Sequence, residues 1–363
     1  MSELLIQLDL GGEPHAFRFG RGVLDGLGAR LAVRRLQAPA AVICDAALAA
    51  GPLARTLVGS LDDYGLRPFV VEVNGERDKT LAGAEAVWSR FADEGLERGG
   101  VVVALGGGAV GDLAGFCAHG WHRGVALVQV PTTLLAMADS AIGGKAAVNL
   151  PRGKNLIGAF HLPLEVVADC AALETLSERD LSSGMAEVVK CALLSDTSAL
   201  AQLCEASERV FSRDFDAIRS ALELAVTTKA RLAGPDLRDT LGPRALLNLG
   251  HLVAHALETE VGHAELRHGE AVSVGLVAAA RLAVTRGLFD DGSLTDLRVT
   301  LAAYRLPIEP PAGVDLTSLV ARTHSDKKRR GGRSRMVLPL SGGGAALHEV
   351  DDGEILAALE LLS

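Results

Sequence analysis

Residues 101–160 read VVVALGGGAVGDLAGFCAHGWHRGVALVQVPTTLLAMADSAIGGKAAVNLPRGKNLIGAF. An apolar, β-branched run at 101–105 breaks into Gly106, Gly107 and Gly108, and 109–118 has the composition of a helix. The pattern is strand, glycine turn, helix. Gly106, Gly108 and Gly111 fit G-x-G-x-x-G, in which absent side chains let a pyrophosphate approach backbone N–H groups at a helix N-terminus. A plain tight turn fits them equally, because no clear ribose-binding acid follows at the usual distance of about 20 residues. A second apolar strand at 125–130 leads into Pro131, Thr132 and Thr133. Asp139, Lys145, Asn149, Lys154 and Asn155 then stand among small and apolar residues. Charges in such surroundings need partners or ligands.

The alternation continues toward the N-terminus. Residues 4–8 and 15–19 flank a glycine turn and predict a hairpin. Residues 23–35 predict a helix, 41–44 a short strand, 45–64 a helix, 68–73 a strand, and 81–94 a helix that Gly95 ends. Together with 101–105 these are repeated strand–helix units, the mark of a parallel sheet covered by helices. Open sheets of this kind bind ligands beyond the carboxyl ends of their strands, so Asp45 is a candidate ribose ligand, although a helix N-cap fits it equally. Glu76 and Lys79, in NGERDKT, read by themselves as a solvated loop.

Toward the C-terminus the character changes. Residues 179–305 carry long helical patterns with few β-branched runs. Strand-like segments return only at 335–340 and 347–350, joined by SGGG, and 354–362 closes as a helix. The predicted fold is an α/β N-terminal Rossmann-like parallel-sheet domain over 1–178, plus a mainly α-helical C-terminal domain over 179–363.

Composition agrees with this plan. A chain of 363 residues is long for one core. With 48% hydrophobic and 22% charged residues it is an ordinary globular chain, and no apolar run approaches the roughly 18 residues of a membrane span. Acids early in MSELLIQLDLGG and the lack of a basic start followed by an apolar core argue against a signal peptide, which predicts a cytoplasmic protein without a membrane partner. Cys44, Cys117, Cys170, Cys191 and Cys204 are scattered, odd in number and free of C-x-x-C spacing, so neither a disulfide framework nor a cysteine zinc site is expected. A net charge of -9 argues against a nucleic-acid partner.

The helical half holds charged and imidazole side chains in apolar surroundings. SGMAEVVKCALL at 183–194 is apolar on nearly every helical face yet carries Glu187 and Lys190 at i, i+3. Buried charges must pair or bind something, and an internal ion pair and a ligand site both satisfy that. His251 and His255, in NLGHLVAHALE, project from one helical face at i, i+4, a spacing that suits a metal and also suits satisfied core histidines. His268, in RHGEAV, supplies a further nitrogen donor.

GGGAVGDLAGF, HRG, VPTTLLAMADSAIGGKAAVN and GKNLIGAF closely resemble the nucleotide and phosphate segments of the 3-dehydroquinate synthase family, within the sugar phosphate cyclase superfamily. The likeness continues through SGMAEVVK, LLNLGHLVAHALE, HGEAV and SDKK, and so spans nearly the whole chain. It implies an NAD-binding domain over 1–178 and a metal- and substrate-binding domain over 179–363. It further implies a divalent metal, zinc with cobalt as the alternative, held by Glu187, His251 and His268, whereas His255 faces the substrate phosphate. Asp45, Glu76, Lys79, Gly106, Gly107, Gly108, Gly111, Asp112, Thr132 and Thr133, with Lys145 and Lys154, are then the NAD-binding set. Asp139, Lys145, Lys190, Asn248 and His255 are the catalytic set. The substrate is held by Arg123, Lys145, Lys154, Asn155, Lys190, Lys229, Arg244, Asn248 and His255, and by Lys327 and Lys328 in the segment after Asp326. Arg123 matches a residue that reaches into the neighbouring subunit in the family, which implies a homodimer. Lys229 could otherwise be a solvated helix residue and Arg244 an N-terminal helix charge, one helical turn before Asn248 and two before His251. The DKK segment could equally be a solvated basic turn.

The activity so implied is conversion of 3-deoxy-arabino-heptulosonate 7-phosphate to 3-dehydroquinate and phosphate by transient oxidation, β-elimination, re-reduction and aldol cyclisation. Another sugar phosphate cyclase, a metal-dependent polyol dehydrogenase of the same plan and an inactive nucleotide-binding scaffold are the rivals. The chain departs from the family's commonest pattern twice. His119, Gly120, Trp121 and His122 replace small residues, Tyr and an apolar residue, for which altered packing is expected. KARLAGPDLRDTLGPR, at 229–244, has lost the acidic pair at Asp236 and Leu237 and is one residue longer, which leaves that loop's geometry open.

Overall fold

The structure is a computed structural model that describes residues 3–240, 242–262, 265–325 and 333–362. The chain divides into two compact units, Met1–Leu176 and Ser177–Ser363.

The first unit runs β1 (Leu4–Leu10), β2 (Glu13–Gly20), α1 (Leu27–Val33), β3 (Ala40–Asp45), α2 (Pro52–Asp62), β4 (Pro68–Val73), α3 (Leu81–Asp93), β5 (Val101–Gly106), α4 (Gly108–Gly120), β6 (Ala126–Pro131), β7 (Lys145–Leu150), β8 (Gly153–Phe160) and β9 (Glu165–Asp169). Seven strands form one sheet in the order β1-β2-β9-β6-β5-β3-β4. Only the β1–β2 pair is antiparallel. Every residue of β5 is buried, as a strand covered on both faces requires. Its alternation divides the two cores: Val102 and Ala104 join Phe91 of α3 and Leu113 of α4, whereas Val101, Val103 and Leu105 join Leu27 of α1 and Leu57 of α2. The chain places β4 outside β3 and then returns to β5 on the other side of β3. The strand order therefore reverses at the carboxyl ends of β3 and β5, where such sheets bind ligands.

Two helices begin later than their sequence patterns suggest. Asp45 does not start a helix, because its Oδ1 accepts from Ala47 N at 3.0 Å and folds a turn; α2 waits for Pro52, whose missing N–H costs nothing at the first helical position. Likewise, α1 starts only at Leu27 within the 23–35 pattern and stops at Val33. The β7–β8 hairpin was not anticipated. It forms its own two-stranded sheet and packs Val148 and Ile157 against the core beside α4.

The second unit contains α5 (Glu178–Ser195), α6 (Ala199–Glu205), α7 (Ser207–Phe211), α8 (Phe215–Ala233), α9 (His251–Val261), α10 (His268–Thr285), α11 (Asp291–Ala303), α12 (Leu316–Arg322), the antiparallel hairpin β10 (Ser334–Pro339) and β11 (Ala345–Val350), and α13 (Asp352–Glu360). Residues 181–194 of α5 are all buried, so this helix is the centre of the unit. No helix among the described residues is long and apolar enough to cross a membrane. The five cysteines form no disulfide.

Candidate active site

Close helix packing assembles the metal-ligand candidates. Gly269, the second residue of α10, lies so near α5 that an added Cβ would stand 2.0 Å from Ser183 O, and its N–H donates to Ser183 Oγ at 3.0 Å. Gly275 presses the same helix against Gly250 O, where a Cβ would again stand 2.0 Å away. Gly250 itself sits at φ 80°, a left-handed conformation that turns the chain sharply into α9. These approaches bring Glu187 of α5, His251 at the start of α9 and His268 at the start of α10 together, with ligand atoms within 4.8 Å of one another. His251 Nε2 and His268 Nε2 each lie 3.6 Å from Glu187 Oε1.

The protonation of this cluster follows from its outer contacts. His251 Nδ1 lies 3.0 Å from Leu249 O, which can only accept, so Nδ1 carries the proton and Nε2 presents its lone pair inward. His268 Nδ1 lies 3.0 Å from Glu258 Oε1, a carboxylate that accepts, so Nδ1 carries a proton there too and Nε2 is the nitrogen that an ion would engage. Glu187 is 1% exposed and ion-paired with Lys190 through Oε2. The sequence left an ion pair and a ligand site open for Glu187; the structure contains the pair and also turns the carboxylate toward two imidazoles.

This donor set fits a zinc-like ion. Tetrahedral bonds of roughly 2.0–2.1 Å separate neighbouring ligand atoms by about 3.4 Å, close to the distances found here and too long for hydrogen bonds. Without a cation, burial alone would raise the Glu187 pKa, but Lys190 and the two imidazoles reverse this and hold it well below the usual carboxylate range. Burial, reinforced by Lys190, pushes His251 down to about 3. Burial also works against a charged His268, but Glu187 and Glu258 outweigh it and raise its pKa to about 10.

A cavity of about 420 Å³ opens beside the cluster, lined by His251, Asn248, His255, Asp239, Thr240 and Arg335 among others. His255 is exposed and stands edge-on to His251 with ring centroids 5.5 Å apart. It is not one of the three convergent ligands, although helical spacing alone pairs it with His251. Lys229 and Arg244 are buried, at 6% and 3% exposure, so Lys229 is not a solvated helix residue. Arg244 also does not share a helix with His251, because it lies in the 3-10 turn Pro243–Asn248 and Gly250 breaks the chain before α9. Its Nη1 donates to Leu237 O at 2.5 Å. The longer loop is organised by Asp236, which accepts from Thr240 N at 2.7 Å and from Gly242 N at 3.0 Å. Asp326, Lys327 and Lys328 lie outside the described residues.

In the first unit the nucleotide candidates gather at the carboxyl edge of the sheet. Asp45 ends β3, Gly106 ends β5, and Gly107 precedes α4 without any side chain capping its first N–H groups. Glycine is needed here partly for packing: a Cβ on Gly108 would stand 2.8 Å from Ser140 Oγ, and on Gly111 2.7 Å from Gln129 Oε1. Thr132 N donates to Gly106 O at 2.9 Å, and Thr133 Oγ1 accepts from Ala136 N at 3.2 Å, steadying the π-helical turn that carries Asp139. Lys79, 4% exposed, pairs with Asp112 at 2.6 Å. Burial nevertheless keeps the Asp112 pKa raised. Glu76 accepts from Asn149 Nδ2 at 2.8 Å and lies 3.4 Å from Lys154 Nζ, so the loop read as solvated is tied to the β7–β8 hairpin. Asn155, at φ 56°, donates its N–H to Asn149 Oδ1 at 3.0 Å, and Lys145 opens β7 on the exposed side.

Arg123 is not brought to this edge. It is exposed at φ 68° beyond the far end of α4, whose 13 residues span about 20 Å. In the unusual segment before it Trp121 is the packed residue, its Nε1 donating to Leu96 O at 2.8 Å and its ring meeting Phe91 edge-on, whereas His119, Gly120 and His122 are exposed. Glu258 and Arg335 were missed by the sequence reading. Glu258 lies two helical turns after His251, a periodicity that could have drawn attention to it.

Residues 69–183 match the family described as 3-dehydroquinate synthase N-terminal, and residues 184–329 match 3-dehydroquinate synthase C-terminal. The chain is 39% identical over 357 residues to the 3-dehydroquinate synthase of Desulforamulus reducens, covering 98% of this chain and 99% of that one. Among solved structures it is similar to 2-deoxy-scyllo-inosose synthase complexed with carbaglucose-6-phosphate, NAD+ and Co2+, with a TM-score of 0.85 and 26% identity over 98% of this chain and 100% of the other. It also resembles 2-epi-5-epi-valiolone synthase from Streptomyces hygroscopicus subsp. jinggangensis with NAD+ and Zn2+ bound, at a TM-score of 0.83 and 28% identity over 93% of this chain and 94% of that one.

Proposed function

The chain belongs to the 3-dehydroquinate synthase family, and from that premise we propose that it converts 3-deoxy-arabino-heptulosonate 7-phosphate to 3-dehydroquinate and phosphate. It is an NAD- and metal-dependent enzyme, with zinc as the expected ion and cobalt as the alternative. The observation that carries the reading is the convergence of Glu187, His251 and His268 beside a cavity that holds further polar groups. Three protein ligands leave room for substrate, as a catalytic rather than a structural metal requires. When bound, the ion supplies Lewis acidity toward a substrate oxygen and NAD supplies a reversible hydride acceptor.

The chain's own residues bind and orient. Lys190, Asn248 and Asp139 hold substrate hydroxyls, His255 faces the substrate phosphate, and Lys229 and Arg244 take the carboxylate. Lys145, Lys154, Asn155, Lys327 and Lys328 hold further anionic groups of the substrate. The uncapped N–H groups at Gly107 and Gly108, at the start of α4, take the pyrophosphate of NAD, with Gly106, Gly111, Thr132, Thr133, Lys79 and Asp112 shaping that turn and Asp45 and Glu76 serving the rest of the nucleotide. Residues 1–178 thus form the NAD-binding domain and 179–363 the metal- and substrate-binding domain. Arg123, remote from its own nucleotide edge, serves the site of a second copy in a homodimer. The protein works in the cytoplasm with no nucleic-acid or membrane partner.

The test is to incubate purified protein with the heptulosonate phosphate, NAD and zinc, and to follow phosphate release alongside NADH absorbance. Phosphate and 3-dehydroquinate should form with no net NADH. Stoichiometric NADH would overturn the reading in favour of a polyol dehydrogenase.

A further inference from the structure

The two imidazoles of the metal cluster are held from behind by different chemistry. His251 Nδ1 rests on the neutral carbonyl of Leu249, whereas His268 Nδ1 rests on the carboxylate of Glu258, both at 3.0 Å. Glu258 is only 13% exposed and lies on the opposite side of the ring from Nε2, so it cannot reach an ion held by Glu187, His251 and His268. A carboxylate that accepts from a ligating histidine fixes the ring's tautomer and plane and makes the other nitrogen more basic. His268 needs such support more than His251 does. Both begin their helices, but the His268 side chain is 31% exposed whereas that of His251 is 13% exposed.

We propose that Glu258 is a positioning residue for the metal: it holds His268 as the Nδ1–H tautomer with its Nε2 lone pair aimed beside Glu187 Oε1, and its charge strengthens that nitrogen as a donor. The inference rests on the metal reading of Glu187, His251 and His268. Helical geometry makes the arrangement economical, because Glu258 follows His251 by two turns on α9, so one helix supplies one ligand and the support for another.

The experiment measures zinc affinity by chelator competition and the visible spectrum of the cobalt-loaded protein, in wild type, Glu258→Gln, Glu258→Ala and His268→Ala. Gln keeps an acceptor for Nδ1 but loses the charge; Ala loses both. Zinc binding should weaken about 10-fold in Glu258→Gln and up to about 100-fold in Glu258→Ala, with a shifted cobalt spectrum in each. Affinity and spectrum unchanged in both Glu258 variants, while His268→Ala loses zinc, would overturn the role of Glu258 and leave the metal centre standing. Full zinc retention by His268→Ala would overturn the metal reading, and this inference with it.

Discussion

Gly269 and Ser183 are in direct backbone contact: a Cβ on the glycine would lie 2.0 Å from the serine carbonyl oxygen. This contact sets the distance between α5 and α10, and so between Glu187 and His268, each within about one turn of it. Gly269→Ala should force the helices apart, at the roughly 1–3 kcal/mol typical of overpacking. The expected result is a lower urea midpoint together with weaker zinc binding. A variant with wild-type zinc affinity would show that the packing does not set the ligand distance.

Replacing any one of Glu187, His251 or His268 by Ala should remove most bound zinc, measured by metal analysis after gel filtration. His255→Ala should keep the metal and lose turnover, because His255 lines the cavity without joining the cluster. Metal loss from His255→Ala would favour the helical pair that the sequence spacing suggests.

The metal-free protein should show a distinctive pH dependence of stability. His268 has its folded pKa raised to about 10 from 6.5, so the folded state holds the extra proton, and that contribution is complete below 6.5 and is lost as pH rises toward 10. His251 is lowered to about 3, so its unfolded form takes up a proton first and stability falls as pH drops below 6.5. Urea midpoints of the metal-free protein should therefore be highest near pH 6.5. In His268→Asn the alkaline decline should flatten, and a decline as steep as in the wild type would assign it to other groups. Zinc must displace the His268 proton, so its apparent affinity should rise across the same alkaline window.

Arg244→Ala should lower kcat/KM for the heptulosonate phosphate by about 10- to 150-fold, the effect of losing a charge-assisted hydrogen bond worth about 1.5–3 kcal/mol. Arg244 also holds Leu237 O, so part of the loss comes from the loop. Sedoheptulose 7-phosphate, which lacks the carboxylate, separates the two effects: loop damage lowers turnover of both substrates, whereas carboxylate binding concerns only the first. Equal turnover of both substrates by the wild type would mark a different cyclase.

How much was legible in advance follows from the range of each interaction. The strand, glycine turn and helix at 101–118 were readable because they depend on neighbours in sequence: β-branched residues extend, glycine turns, and α4 follows with its first N–H groups uncapped. The buried character of α5 was readable for the same reason, since a helix apolar on every face has no side to offer water. Local spacing misled where distance along the chain is large. It paired His251 with His255, four residues apart, but glycine-mediated contacts deliver His268 and Glu187 instead. The β7–β8 hairpin escaped notice because its small residues and glycines carry little alternation, and its place is set by Asn149 reaching Glu76 and by Val148 packing beside α4. Arg244 was assigned to a helix because a regular period cannot register a single left-handed glycine at 250. The sequence by itself determined the two classes of unit, the glycine turn and which polar residues stand in apolar surroundings. Which of those residues meet was decided by tertiary structure, because helices meet only as closely as their bulkiest contact allows, and here those contacts are glycines.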